Sequence, residues 1–292
     1  IHQKPQHPTI LWDITSYCNF KCTYCYSDHM PNRTLRLKDK YPLEYILKCF
    51  EMSFPGWAIN FSGGEPFVYA DFVEAVGLLT QNNSIGIYSN LSIEKQVDRF
   101  SHSIDPQNIN FINCGFHVLE RLKWDPDLKM FWRLHEKLSN AGFNIVVTYI
   151  VHPNNAPRAE EDMKMLLNNG IIPYLKVFRG SHHGKTYPEA FSAKILDLVE
   201  ANEAAIGRGR SVKAQMTMEG NYCRAGMMFV EMDVGGNVFR CGTDRSLHRE
   251  CMGNLFKSTL RLDTYPRLCQ NRVCMSCRQG LGYGFEPMRN LN

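Results

Sequence analysis

TILWDITSYCNFKCTYC, residues 9–25, joins an apolar run that reads as a strand to three thiols in the spacing Cys18-x3-Cys22-x2-Cys25. A strand that ends in a thiol-rich loop is a place to hold a small cofactor, and the number of thiols limits which one. Three thiolates leave tetrahedral zinc one ligand short. A cube of four irons and four sulfides has four metal corners, so three cysteines fill three and leave one iron for an outside ligand. Two plainer readings stay open at this point: a zinc loop completed by His29, or a set of buried structural thiols.

The chain around this loop has 292 residues, 44% of them hydrophobic, enough for one large domain and a smaller appendage. A formal charge of +4, from 33 basic and 29 acidic residues, is too mild to argue for nucleic acid or a membrane surface. The opening residues IHQKPQHP lack a signal-peptide core, and no segment approaches the roughly 20 apolar residues of a membrane span. A soluble, cytoplasmic protein is expected. Eleven cysteines in a reducing compartment argue for metal rather than disulfides. They fall into two groups, Cys18, Cys22 and Cys25 at the front and Cys223, Cys241, Cys251, Cys269, Cys274 and Cys277 at the back, with Cys49 and Cys114 between.

Short β-rich runs alternate with longer amphipathic ones between the two groups, the pattern of repeated β/α units on a parallel sheet. Strands are predicted at Ile10–Thr15, Ala58–Ser62, Ile85–Ser89, Ile109–Asn113, Ile145–Val151 and Ile172–Phe178. Helices are predicted near 42–53, 70–81, 93–101, 127–140, 158–168 and 188–205, with Pro42, Pro157 and Pro188 suited to helix starts. GRGRS after Ile206 reads as a linker, and FVEMDVGGNVFRC as a hairpin turning at Gly235 and Gly236. The division is therefore 1–206 for the repeated units and 207–292 for a second module.

FSGGEP, residues 61–66, closes the second strand. Gly63 and Gly64 let backbone approach a ligand closely, and Glu65 can accept from an ammonium group. Together, CxxxCxxC with Tyr24 before its last cysteine and GGE one strand away resemble the signatures of the radical S-adenosylmethionine superfamily. The resemblance covers about the first two thirds of the chain and implies a partial (β/α)6 TIM-like barrel. It also implies a [4Fe-4S] cluster on Cys18, Cys22 and Cys25 whose open iron chelates the amino and carboxylate groups of S-adenosylmethionine. Gly63, Gly64 and Glu65 would then serve the methionyl amino group, Ser89 and Asn90 the ribose or carboxylate, and Tyr24 the adenine. Arg179, closing the sixth strand, can pair with a carboxylate. In such barrels the chemistry gathers at strand C-termini, and all these residues obey that rule.

The tail cysteines, with GNVFRC at 236–241 and MGNLF at 252–256, resemble the auxiliary-cluster extensions of that superfamily. No cysteine follows Cys277, so the shortened twitch form with one auxiliary [4Fe-4S] cluster fits better than the full SPASM form. Its ligands would be Cys223, Cys241, Cys274 and Cys277, with Cys251 or Cys269 able to replace one of them. A zinc ribbon is the alternative.

The family chemistry implies reductive cleavage of S-adenosylmethionine, fed by an external donor such as a flavodoxin or ferredoxin, and hydrogen abstraction from a substrate C–H bond. Dehydrogenation sends a second electron to the auxiliary cluster, whereas epimerisation returns a hydrogen atom from a thiol. Cys251, in the module expected to roof the barrel mouth, is the first candidate for that thiol, and Cys114, ending the fourth strand, the second. His117, His182 and His183 are available as bases or anion holders. No extra N-terminal domain for a leader peptide is evident, which favours a small polar substrate of sugar or aminocyclitol type. Peptide modification is the alternative enzyme reading, and a non-catalytic iron–sulfur or zinc protein the remaining one.

Overall fold

The computed structural model describes residues 7–25, 36–206, 219–249, 251–271 and 274. Alternation within each apolar run sets the architecture, because every second side chain must find a helix to pack on. The chain runs β1 (Thr9–Thr15), α1 (Leu43–Ser53), β2 (Ala58–Gly63), α2 (Phe72–Leu79), β3 (Ser84–Ser89), α3 (Glu94–Ser103) and β4 (Ile109–Gly115). It continues through α4 (Val118–Arg121), α5 (Lys129–Asn140), β5 (Ile145–Val151), α6 (Ala159–Asn168), β6 (Tyr174–Val177), β7 (Gly180–His182), β8 (Lys185–Tyr187) and α7 (Ala193–Ala205). Last come β9 (Tyr222–Cys223), β10 (Phe229–Met232), β11 (Val238–Phe239), α8 (Gly242–Ser246) and β12 (Arg267–Leu268).

The six predicted strands form and pair in parallel in chain order, β1 to β6, as a partial barrel of β/α units requires. Pro42 directly precedes α1, whereas the predicted helix start at Pro188 is displaced to Ala193. The reason is an antiparallel hairpin, β7 with β8, that grows from the end of β6 and was not foreseen.

The GG hairpin forms as read, but it does not stand apart: β10 pairs in parallel with β1, Thr9 with Phe229 through Trp12 with Met232, extending the sheet to eight strands. Trp12 on β1 is wedged among Phe50, Phe61 and Phe256, so the helix-facing layer runs continuously across this junction. Among the described residues no helix is long and apolar enough to cross a membrane.

The two faces of the sheet differ sharply. Ile59, Phe61, Ile85, Ile87, Ile112, Val147, Tyr149 and Leu175 are buried against the helices. The register places Asp13, Asn60, Ser62, Tyr88, Asn113, Thr148, Lys176 and Glu231 on the opposite, inner face. That face, the chamber below the strand ends, also carries Leu11, Phe111, Val146 and Ile150, so its polar groups are set among apolar ones.

Candidate active site

The thiol loop leaves β1 at Thr15 and is fastened to the turn after β2 by two backbone hydrogen bonds, Gly64 N–H to Thr15 O at 2.7 Å and Glu65 N–H to Tyr17 O at 2.9 Å. This contact explains both glycines. Gly63 has φ +102°, and a Cβ there would lie 2.2 Å from Thr15 O. At Gly64 it would lie 1.9 Å from Tyr17 O. The close approach that the glycines allow is thus taken by the stem of the cysteine loop.

Glu65 is 1% exposed and already engaged. Its Oε1 accepts from Ser89 Oγ at 2.8 Å and Phe67 N at 3.1 Å, and its Oε2 from Asn90 N at 2.6 Å. Burial pushes its carboxyl up to about 7 even against these donors. A carboxylate offers about four acceptor positions, and three here bind protein. Ser89 and Asn90 are likewise turned inward. Ser89 Oγ also accepts from Leu91 N at 2.9 Å, while Asn90 Nδ2 donates to Asn19 Oδ1 at 3.0 Å and lies 3.7 Å from Cys18 Sγ. The side chains expected to meet a cosubstrate therefore form a lock that sets the shape of the cysteine loop.

Two residues of the short helix α4 complete the lock, and neither was singled out from sequence. Glu120 Oε2 accepts from Lys21 N at 3.3 Å. Arg121, fully buried, donates to the carbonyls of Asn90, Phe116 and Gly115 and stacks on Phe131 at 4.6 Å. A four-residue segment, VLER, has too little periodicity to reveal such a role.

Cys18 and Cys22 are half-buried and Cys25 is exposed. Burial pushes the Cys18 and Cys22 thiols up to about 12, and each of the two is raised further by charge on Cys25. Three mutually coupled sulfurs in one loop, with an amide from Asn90 and the backbone of Phe20 directed at Cys18, suit a cluster whose irons supply the missing positive charge. Among the described residues no three His, Cys, Asp or Glu side chains converge on a single ion.

Tyr24 sits between two imidazoles, 5.8 Å from the His117 ring and 5.3 Å from that of His152, and its hydroxyl is 2.9 Å from His117 Nδ1. Burial lowers His117 to about 4 and His152 to about 4, so both are neutral near pH 7. His152, directly after β5, is 1% exposed and packs on Phe178 and His182. Its place at a strand C-terminus was the available signal for it. Arg179 is exposed between β6 and β7.

The two thiols considered as hydrogen-atom donors do not reach the chamber. Cys114 pairs with Ser89 and Val147 in register and is 0% exposed on the helix-facing side, so its strand-end position carries it away from the inner face. Cys251 is exposed at the sheet margin beyond β11, where Val238 N–H donates to Gly253 O and Met252 N–H to Val238 O. Phe239 faces Glu231, and Glu231 faces Leu11, so this segment lies level with the lower half of β1. Thr15 is four residues farther on, about 13 Å.

Of the back group, Cys223 and Cys241 pack with Ala225, Phe229 and Leu11, and Cys277 lies outside the described residues. Arg245 on α8 reaches Asp13 on β1 at 2.5 Å, tying this cysteine region to the inner face. Burial raises Asp13 despite that ion pair.

The family model described as the radical SAM superfamily matches residues 12–166. Mycofactocin maturase MftC of Mycolicibacterium smegmatis is 24% identical over 254 residues, 80% of this chain and 63% of that protein. A protein of Methanocaldococcus jannaschii is 27% identical over 187 residues, 56% of this chain and 59% of its own length. The chain thus spans about three fifths of the length of these curated relatives. Among solved structures, native anSMEcpe with bound AdoMet superimposes with a TM-score of 0.59 at 17% identity, covering 87% of this chain and 80% of that one. Streptococcus suis SuiB bound to S-adenosylmethionine gives 0.57 at 13% identity, covering 86% and 64%. At these identities the likeness is one of fold.

Proposed function

This chain belongs to the radical SAM superfamily, whose members use a [4Fe-4S] cluster and S-adenosylmethionine, and we propose that it is an oxidising member with an auxiliary iron–sulfur centre in its C-terminal cysteine group. Cys18, Cys22 and Cys25 hold the first cluster, and the loop locked by Glu65, Ser89, Asn90 and Arg121 keeps their three sulfurs in place. When bound, the clusters and cosubstrate supply a 5'-deoxyadenosyl radical and an acceptor for one electron. The polar side chains of the inner face, Asp13, Asn60, Tyr88, Asn113 and Lys176, orient the substrate beneath the strand ends. Tyr24 and His152 close one side and keep water from the reacting carbon.

The observation that carries oxidation over epimerisation is the placement of the remaining thiols. Among the described residues Cys49 and Cys114 face the helix layer, and Cys251 lies at the sheet margin, which argues against these three as hydrogen-atom donors. For the substrate class we take a peptide. One relative is a maturase, and SuiB and anSMEcpe have been solved with a precursor peptide and with the Cp18Cys peptide. The small polar substrate expected from sequence becomes the competing arm of the test.

Reduced protein, kept free of oxygen, is incubated in deuterated water with S-adenosylmethionine and either peptides or aminocyclitols. Oxidation predicts 5'-deoxyadenosine with a product lighter by two hydrogens, both lost when Cys18, Cys22 and Cys25 become alanine. Deuterium at one inverted carbon overturns the oxidation assignment. Turnover of aminocyclitols but not peptides overturns the substrate class. Zinc in the front loop in place of iron overturns the whole reading.

A further inference from the structure

The back of the chain holds more thiols than one cluster needs, and their hydrogen bonds sort them. β9 and β12 form an antiparallel ladder in which Cys223 faces Arg267 and Tyr222 faces Leu268. The ladder continues through Cys269 N–H to Asn221 O at 2.8 Å and Gly220 N–H to Cys269 O at 3.0 Å. Residues 267 and 269 share one side of their strand, so Cys223 and Cys269 are diagonal neighbours on the same face, about 7–8 Å apart at the backbone. Cys241 joins them from the other direction. It packs with Cys223 around Ala225 and Phe229, and it caps α8, whose Asp244 accepts from Asn271 Nδ2 at 3.0 Å. That last bond draws the segment following Cys269 against the turn that carries Cys241.

Each of these three sulfurs accepts an amide hydrogen from just ahead in the chain: Ala225 N–H to Cys223 Sγ at 3.4 Å, Asp244 N–H to Cys241 Sγ at 3.5 Å, and Asn271 N–H to Cys269 Sγ at 3.4 Å. Donors aimed at sulfur favour thiolate over thiol and set the electronics of an iron–sulfur cluster. Cys251 does the reverse: its Sγ donates to Gly253 O at 2.9 Å, a bond that a thiolate cannot make. The corresponding contact of Cys269, with Asn271 O, is 3.9 Å.

We propose that Cys269 is a ligand of the auxiliary centre together with Cys223 and Cys241, in a set where Cys251 has no part and the Cys274-x2-Cys277 pair supplies the fourth sulfur. The assignment rests on the proposed auxiliary centre and adds Cys269 to the ligand set expected from sequence, in place of one cysteine of the final pair.

The test uses the full chain with Cys18, Cys22 and Cys25 changed to alanine, so that iron reports the back site alone. After anaerobic reconstitution this parent binds about four irons and four sulfides per chain. Adding Cys269→Ala drops iron below about a quarter of the parent, and Cys269→Ser changes the electron paramagnetic resonance spectrum of the reduced cluster. Adding Cys251→Ala changes neither. In the chain with an intact front loop, Cys269→Ala keeps the front cluster and its far-ultraviolet circular dichroism, separating ligand loss from unfolding. Full iron and an unshifted spectrum in both Cys269 variants overturn the ligand assignment while leaving the auxiliary centre standing, as does loss of iron in Cys251→Ala. A parent that binds no iron and no sulfide overturns the auxiliary centre and the assignment with it.

Discussion

Glu65→Gln tests whether the acid of the GGE turn is a component of the lock, because the amide matches the carboxyl in shape and cannot titrate. The Glu65 carboxyl is pushed from an ordinary 4.5 to about 7 by burial. Between those values the folded protein keeps a proton that the unfolded chain has released, so folding takes one up. Stability therefore falls as pH rises through that window and levels off above it. At 1.36 kcal/mol per unit the wild type loses about 2.5 kcal/mol relative to Glu65→Gln between pH 5 and pH 8. Glutamine also turns an amide N–H towards one of the donors from Ser89, Asn90 or Phe67, but that cost is the same at every pH. Urea denaturation of the two proteins across that range, in matched anaerobic buffers, gives the difference directly, since all other titrating groups are shared. Parallel stability curves, within about 0.5 kcal/mol, would falsify the claim that Glu65 is sealed among protein donors.

Gly64→Ala places a methyl group against Tyr17 O, a backbone atom that cannot swing aside; we expect a loss of about 3 kcal/mol in denaturation, the upper end for overpacking, and loss of front-cluster iron. Arg121→Met keeps the stem over Phe131 but leaves the carbonyls of Asn90, Phe116 and Gly115 without their donor, at a cost of at least about 3 kcal/mol. Its signature is weakened binding of S-adenosylmethionine in calorimetry, because the β3 turn is released. For the Asp13–Arg245 pair, Asp13→Asn, Arg245→Met and the double variant should give a coupling energy of about 1–2 kcal/mol; additive effects show that the cysteine region is not held to β1 by this bridge.

The barrel was legible because its strands carry the period-2 signal and its helices are long enough to show theirs. Ile145–Val151 emerges with the predicted bounds, and the other five strands within three residues at either end. The segments that escaped are those without such a signal. GSHHGKTY, which forms β7 and β8, is poor in β-branched and aromatic residues, and VLER spans a single helical turn. The GG turn announced a hairpin, but its attachment to β1 pairs Thr9 with Phe229, and nothing local in either segment encodes a parallel contact across that sequence distance.

The position of the site residues was legible in sequence, but the direction of their side chains was not. The strand-end rule correctly gathered Cys18, Gly63, Gly64, Glu65, Ser89 and Asn90 at one rim, because parallel strands of similar length must end together. Direction depends on parity: a strand residue faces the chamber or the helices according to whether its count from a neighbour is even or odd. Cys114 falls in register with Ser89 and is sealed in the core, whereas Asn113, one residue earlier, faces the chamber. The same distinction separates the two kinds of polar residue at the rim. Glu65, Ser89 and Asn90 spend their hydrogen bonds on one another and on the thiol loop, and so fix geometry. Asp13, Asn60 and Lys176 lie on the inner face, where a substrate is to be oriented, so mutations there should alter substrate selectivity while those in the lock alter cluster retention.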